Sequence, residues 1–405
     1  MSEIAVDSCL ITPRSSLTGI DAIKGITLDF IFPSCLLMRN AMARWGWDLG
    51  RWLLMAWVAA MMAGCASKRD TFNFGIPPSL EVNRPMWPSP KDGEVPRYMY
   101  AGQLTGEDNF HEPRDEPQTK TTSFFRWLLG IFNDEVPVVL QRPQSGVVDG
   151  SGRIYVTDIS RQAVYVFDPQ GNRLDVWEQL GDRVHFVAPT GIALGEDGDI
   201  YVADSDLGLV AQLNRKGENL GVIGQGELRR PVGVAYDLDS HLLYVADTYD
   251  HDIKVYGKDG RLRRTLGRRG DKPGEFNFPT YIALAKGNLY VSDTMNARVQ
   301  VLDAETGQSK LVIGELGLSV GNLVRPKGVA VDSEGDVYVV ESYFDRLLIY
   351  DKEGRFLLPI GGEGQRVGEF YLPSGVWTDA HNQIYVADML NGRVMLFQFL
   401  GGDTE

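Results

Sequence analysis

The groups through which this chain could do chemistry are few. They are five histidines, His111, His185, His241, His251 and His381, and six acidic residues in a recurring setting, Asp158, Asp204, Asp247, Asp293, Glu341 and Asp388. A ring of carboxylates at one end of a fold could hold a cation. Histidines joined by carboxylates could hold a metal that polarises a substrate, but such a site wants three or four converging ligands. His241 and His381 fall in turns at the opposite end of their strands from His251, and only His185 shares an end with it. Two histidines do not complete a metal site. The acidic residues recur in every unit, which fits architecture better than a single site: an Asp that closes a strand accepts bonds from turn amides. Arg298 and Arg393, each five residues after its acid, supply charge-assisted partners across the strand pair. No Gly-x-Ser-x-Gly elbow and no Gly-Lys-Ser/Thr phosphate loop occurs in the 405 residues. The residues therefore assign no catalytic group, no metal ligand and no cofactor.

The elements that position these groups are short strands. Leu289-Tyr290-Val291-Ser292-Asp293 and Arg298-Val299-Gln300-Val301-Leu302 alternate in polarity around a polar turn, as a hairpin does. The first of these strands recurs as Ile154–Asp158, Ile200–Asp204, Tyr244–Asp247, Val337–Glu341 and Ile384–Asp388, and the acids are spaced by 46, 43, 46, 48 and 47 residues. A period in that range, with several strands per unit, marks a propeller or array. Each unit also opens on a proline followed by small residues, from Pro143-Gln144-Ser145-Gly146 through Pro189, Pro231, Pro279 and Pro326 to Pro373-Ser374-Gly375. Small residues suit an innermost strand, where blades converge. A third strand such as Val164–Asp168 and a fourth ending in Gly, such as Arg264–Gly267, complete the unit. The expected fold is all-β, a six-bladed β-propeller of four-stranded blades. The sixth unit runs out after Phe397, while Arg97-Tyr98-Met99-Tyr100-Ala101-Gly102 upstream echoes a fourth strand. Tyr98–Ala101 are accordingly expected as the N-terminal outer strand that closes the last blade without a disulfide, leaving only short protected edges.

Val291-Ser292-Asp293 with Asn296-Ala297-Arg298-Val299, and Val386-Ala387-Asp388 with Asn391-Gly392-Arg393-Val394, resemble the NHL repeat. Blade five keeps Arg346 beside Glu341, whereas blades one, two and three have Ala163, Leu209 and Asp252 at the arginine position. The resemblance covers residues 97–402. It implies a propeller, a fold that hosts binding scaffolds and unrelated enzymes alike.

Residues 1–41 carry no coherent pattern and read as an upstream segment before a true start at Met38 or Met42. Residues 42–65 have the form of a signal peptide: Arg44 and Arg51, an apolar run Trp52–Met62, then small residues. Met62-Ala63-Gly64-Cys65 resembles the bacterial lipobox, which implies lipidation of Cys65 as the mature N-terminus. Ala66 after it, rather than an Asp, favours an outer-membrane destination. The proline-rich stretch 66–96 reads as an extended tether, and the propeller domain as residues 97–402. Charges balance in residues 1–65, so the part beyond them carries the whole net charge of −14. That balance argues against nucleic-acid binding, which needs a cationic footprint. Cys9, Cys35 and Cys65 form no zinc-type pairs.

One stretch falls outside the repeat. Thr121-Thr122-Ser123-Phe124-Phe125-Arg126-Trp127-Leu128-Leu129-Gly130-Ile131-Phe132 reads as a short helix, apolar on most sides, that must dock on something. With His185, Tyr249, His251, Tyr343 and Phe344 in loops of one face, Trp127 marks a candidate binding face. The expectation is an exported, lipid-anchored scaffold without catalytic activity, held at the membrane by its lipid and bound to a protein partner in the bacterial cell envelope. The alternative is a metal-dependent lactonase or lyase working at the axial mouth. A weaker third reading is sugar or peptidoglycan binding through exposed Tyr and Trp.

Overall fold

The residues after each proline set how closely the strands approach a common axis. A Cβ on Gly191 would lie 2.3 Å from the carbonyl oxygen of Val232, and one on Gly375 would lie 2.3 Å from that of Gln144. At such distances only glycine lets neighbouring innermost strands touch. The computed structural model describes residues 71–110, 137–181 and 184–401. They belong to one compact unit, Arg69–Glu405; a second unit, Met1–Lys68, lies wholly outside them.

Two strands, β1 (Met86–Trp87) and β2 (Tyr98–Leu104), precede the repeats. Blade one is β3 (Pro143–Val148), β4 (Ile154–Asp158), β5 (Ala163–Asp168) and β6 (Arg173–Trp177). Blade two is β7 (Pro189–Leu194), β8 (Ile200–Asp204), β9 (Leu209–Leu213) and β10 (Asn219–Ile223). Blade three is β11 (Pro231–Asp237), β12 (Leu242–Asp247), β13 (Asp252–Gly257) and β14 (Leu262–Leu266). Blade four is β15 (Pro279–Ala285), β16 (Asn288–Asp293), β17 (Arg298–Asp303) and β18 (Ser309–Ile313). Blade five is β19 (Pro326–Val331), β20 (Val337–Glu341), β21 (Arg346–Tyr350) and β22 (Phe356–Gly361). The last blade holds β23 (Val376–Thr378), β24 (Gln383–Asp388) and β25 (Arg393–Phe399). Every neighbouring pair is antiparallel. Each innermost strand touches the next, and β23 touches β3, so the ring is complete at six blades.

Closure comes from the N-terminal side, with one strand more than expected. The last sheet runs β1-β2-β25-β24-β23 and is five-stranded. Tyr98 pairs with Phe399 and Leu104 with Val394, so β2 is the outer strand anticipated from Tyr98–Ala101, and it is longer. The short β1 extends the blade by pairing Met86 with Met99 and Trp87 with Tyr98. The proline-rich stretch 66–96, expected as an extended tether outside the propeller, is thus already part of the fold where it is described, with Phe72, Phe74 and Trp87 packed on the blades. Phe72 and Phe74 pack on the seam between the last and first blades, and Trp87 meets Phe397 edge-on at 5.3 Å. Prolines limited the strand to two residues, and the scattered aromatics carried no periodic signal.

The core is not one interior but six layers, one between each pair of adjacent blades. Tyr155, Tyr244, Tyr338 and Tyr385, the repeated tyrosines of the second strands, are fully or almost fully buried in these layers. Each seam is also latched by a hydroxyl donating to a carbonyl of the adjacent blade. Thr157 reaches the Thr190 oxygen at 2.5 Å, Ser205 that of Pro231 at 2.7 Å and Thr248 that of Pro279 at 2.7 Å. Thr294 reaches the Pro326 oxygen at 2.9 Å, Thr378 that of Val331 at 3.0 Å and Ser374 that of Pro143 at 3.0 Å.

The β19–β20 turn of blade five carries a crowd of acids. Burial, and then the charges of Asp332, Glu334 and Asp351, push the Asp336 carboxyl up to about 6 from its ordinary 3.8. The folded state therefore holds this proton more tightly than the unfolded chain. The resulting stabilisation is complete below the unfolded value and is lost as pH rises from 3.8 to about 6. At pH 7, Asp336→Asn should stabilise the fold. The shift sets a ceiling of about 3 kcal/mol, and solvent screening of a half-exposed group brings the expectation to about 1 kcal/mol. Thermal melts at pH 7 and pH 3.5 check it: equal shifts at both would contradict the cause given.

Candidate interaction face

The face is built on the six acidic residues. Pro143 pairs with Asp158, Pro189 with Asp204, Pro231 with Asp247, Pro279 with Asp293 and Pro326 with Glu341. The register puts the loop before each first strand beside the turn after each second strand. All six acids are 0% exposed. Asp158 accepts the amides of Gln141 and Arg142 at 2.6 and 2.8 Å on one oxygen, and those of Ser160 and Arg161 at 3.0 Å on the other. Asp204 does the same with Val187, Ala188, Asp206 and Leu207. A buried carboxylate with four amide donors is a staple that holds two loops in register.

The arginines complete this device. Arg298 Nε donates to Asp293 at 2.8 Å, and its Nη2 donates to the carbonyls of Lys272 and Glu275 at 2.9 and 3.0 Å. Arg393 repeats this with Asp388 at 2.8 Å and the carbonyls of Arg366 and Glu369. Blade three, with Asp252 at the arginine position, finds its cation two residues later: Lys254 Nζ lies 2.9, 2.8 and 3.1 Å from Asp247, Asp250 and Asp252. Burial works against the Lys254 charge, yet its three carboxylate partners raise its pKa. In blade five Arg346 lies instead over the ring of Phe344. Burial raises the carboxyls of Glu341 and Asp388, opposed by the amides that bond them.

The expected face residues separate by burial. Tyr249 and Tyr343 are exposed at 46% and 55%. The guanidinium of Arg230 lies 5.3 Å from the centroid of the Tyr249 ring, and Phe344 is half-buried edge-on to Tyr343. His251, expected on the open face, is buried: its Nδ1 accepts the Phe278 amide at 3.1 Å and its ring packs on Phe278. Burial and then the nearby Arg269 charge lower its pKa, consistent with the neutral imidazole that this bond requires. His185 is exposed beside the Gln179 bridge. Among the described residues no group of three or more His, Cys, Asp or Glu is placed to hold a metal ion. Trp127, the 121–132 stretch and Cys65 lie outside the described residues.

Two features were missed from the sequence. The second residue after each acid is polar in blades one and two, Ser160 and Asp206, and apolar in the other four, Tyr249, Met295, Tyr343 and Leu390. Met295 is 58% exposed, and Tyr371, whose carbonyl accepts the Leu390 amide at 3.1 Å, is 41% exposed. Apolar groups thus arc across blades three to six on one face, a pattern that aligning the units on their acids would have revealed. The second feature is at the axis. A cavity of about 240 Å³ is lined by innermost-strand residues such as Ile192, Val234, Ile282, Val329 and Trp377, and no Asp, Glu, His, Cys, Lys or Arg lines it. Tyr281 of blade four bounds it, donating to the Gln144 carbonyl of blade one at 3.2 Å across the axis. Only the closed ring brings residues 137 positions apart together, so no local signal could have shown it.

Comparison with known proteins bears on this architecture. A family model described as a six-bladed beta-propeller matches residues 322–405, and the NHL repeat model matches residues 228–256. The chain is 28% identical to Protein brain tumor of Drosophila melanogaster over 33% of its own length and 12% of that protein's. It is 30% identical to NHL repeat-containing protein 2 of Bos taurus over 35% of its own length and 24% of that protein's. The chain thus spans a quarter or less of these relatives. A solved structure of a protein of unknown function from Bacteroides thetaiotaomicron superposes with a TM-score of 0.51 at 14% identity, covering 64% of this chain and 70% of that one, and shares the fold.

Proposed function

Because the chain is a six-bladed β-propeller carrying NHL-type repeats, we propose that it works as a noncatalytic protein-binding scaffold whose partner docks on the face built over the acidic staples. The observation that carries this reading is the exposed apolar arc of Tyr249, Met295, Tyr343 and Tyr371, mounted on loops that buried carboxylates hold rigid. Exposed aromatic and methionine side chains on a pre-ordered surface are typical of interface centres. The axial cavity supports the same reading, since no Asp, Glu, His, Cys, Lys or Arg lines it. The lactonase or lyase alternative needs His185 and His251 to converge with carboxylates, and His251 is already committed to the Phe278 amide.

We place the scaffold at the bacterial cell envelope, in the outer membrane, anchored by lipid on Cys65. That part of the reading rests on the signal-like residues 42–65 and on Ala66 after them. The test is capture from membranes by the full-length chain, with partners identified by mass spectrometry, against a Met295→Glu/Tyr343→Glu variant. Both side chains are exposed, so the variant should fold and melt like the parent while losing its partner at least tenfold. Undiminished capture by a folded variant sinks the proposed face. Labelled palmitate incorporation lost in Cys65→Ser checks the anchor.

A further inference from the structure

Three loops of the acid-staple face are copies of one design. Arg269 bridges Phe276, Leu316 bridges Leu323 and Glu363 bridges Phe370. In each, the glycine after the first bridge residue donates its amide to the carbonyl of the second: Gly270 to Phe276 at 3.0 Å, Gly317 to Leu323 at 3.2 Å and Gly364 to Phe370 at 2.9 Å. The closing side chains Phe276, Leu323 and Phe370 are fully buried. Each loop is therefore a control for the others. At the exposed positions between the bridge residues the first carries Arg269, Asp271 and Lys272, and the third carries Glu363, Gln365 and Arg366. The middle loop, between blades four and five, has Leu316, Leu318 and Ser319 there, followed by Val320, and no charged residue from Leu316 to Val324. Leu316, Leu318 and Val320 are 73%, 78% and 52% exposed. The fold does not ask for leucine at these places, since the sister loops close in the same way with charges. Apolar side chains kept in water by a held loop mark a contact with something apolar.

The loop belongs to the end of the propeller where the chain enters it. Its last amides, Val324 and Arg325, donate to the Glu341 staple at 2.7 and 2.9 Å, and Glu341 also accepts the Tyr343 amide. In the last blade the Phe74 carbonyl accepts the Gln103 amide at 2.6 Å, and the Gln103 side chain lies 3.5 Å from Arg393, the partner of the Asp388 staple.

We propose that the Leu316–Val320 loop inserts into the lipid bilayer and turns the acid-staple face toward it. This rests on the lipid-anchor part of the reading above. Six residues lead from Cys65 to Thr71, a fully extended reach of at most about 20 Å, so a lipid there keeps this end of the propeller near the bilayer. A single tether leaves the propeller free to roll, and an apolar projection on the tethered end fixes which face looks at the membrane. Tethering also supplies the effective concentration at which a contact of three side chains suffices. The net charge of −14 excludes attraction to anionic headgroups and leaves apolar burial as the contact. A protein cleft is the competing occupant, but clefts are recognised through polar groups at the rim as well as apolar ones, and this tip is without charge over nine residues. A partner that docks on the tyrosine arc is then met at the bilayer surface.

The test uses the full-length lipidated chain on phosphatidylcholine vesicles, with or without bromine on the acyl chains, and reads tryptophan quenching. Val320→Trp reports from the apolar loop and Asp271→Trp from its sister. Bromolipid should quench the emission added by Val320→Trp severalfold more than that added by Asp271→Trp. Leu316→Arg/Leu318→Asp gives the middle loop the residues that the blade-three loop carries at those places. It should melt like the parent and bring Val320→Trp quenching down to the Asp271→Trp level; should it fail to fold, the two tryptophan reporters decide by themselves. Equal quenching at the two loops, quenching at neither, or undiminished quenching in the folded double variant overturns the insertion. A Val320→Trp emission that shifts to the blue only after solubilised membrane proteins are added also overturns it, and assigns the loop to a protein cleft. Labelled palmitate reads the anchor separately. A chain found to carry no lipid is measured at saturating vesicle concentration, where a quenched Val320→Trp keeps the insertion and sinks the anchor, whereas a lipidated chain with an unquenched loop does the reverse.

Discussion

Replacing Asp293 by alanine should cost the fold about 3–5 kcal/mol, the range found when one partner of a buried ion pair is removed. The residue is 0% exposed and accepts from the Asn277 amide at 2.6 Å, from Asn296 and Arg298 at 2.8 Å, and from Gln300 at 3.1 Å. Its loss leaves the part-buried Arg298 guanidinium without its counter-charge, removes the acceptor of the Asn277 amide, and takes one of two acceptors from each of Asn296 and Gln300. Loss of the carboxylate also releases the loop before β15 from the turn after β16, so the damage reaches the seam with blade three. Urea unfolding of the variant measures the cost. Asp293→Asn is the informative companion: it keeps the volume, loses the charge and turns an acceptor toward Arg298 into a donor in one of its orientations. It should therefore recover less than half of the loss. A loss below 1 kcal/mol for Asp293→Ala would refute the staple role.

Removing the N-terminal closure should be more damaging still. A chain beginning at Thr105 lacks β1 and β2 and with them Tyr98, Tyr100 and Leu104, which are at most 1% exposed. At about 2–3 kcal/mol for each large side chain taken from water, this approaches the 5–15 kcal/mol that stabilises a whole domain. It also leaves β25 with an unpaired row of amides and carbonyls along a flat, apolar edge. The expected product is aggregated or unfolded protein at 25 °C. Size-exclusion chromatography and circular dichroism decide the matter, and a monomer with the parent's unfolding midpoint would show that closure is dispensable.

Much of this was legible before any coordinates, for a definite reason. In a propeller every blade meets the same environment, so the same residue types return at one period: proline, small residues, the Tyr-Val strand, the acid. The repetition announced six blades, and the orphaned sixth unit announced closure through Tyr98–Ala101, because a sheet with a missing strand must borrow one. The staple role of the acids followed from their presence in every unit. What one chain segment could not announce was contact between distant segments. Phe72, Phe74 and Trp87 looked like parts of a proline-rich tether because nothing near them in sequence says what they touch: Trp87 packs on Phe397, 310 positions away, and Phe72 and Phe74 join the layer between the last and first blades. His251 looked like a face residue and is buried, because the Phe278 amide that claims it arrives with the next blade. Lys254 took over the arginine's task through a side chain long enough to reach back along its own strand. Tyr281 meeting Gln144 exists only once the ring closes. Periodic sequence determines what each blade is, since local pattern and hydrogen bonding are settled within the unit; the axis and the seams are where units meet, and only the tertiary structure decides what is brought together there.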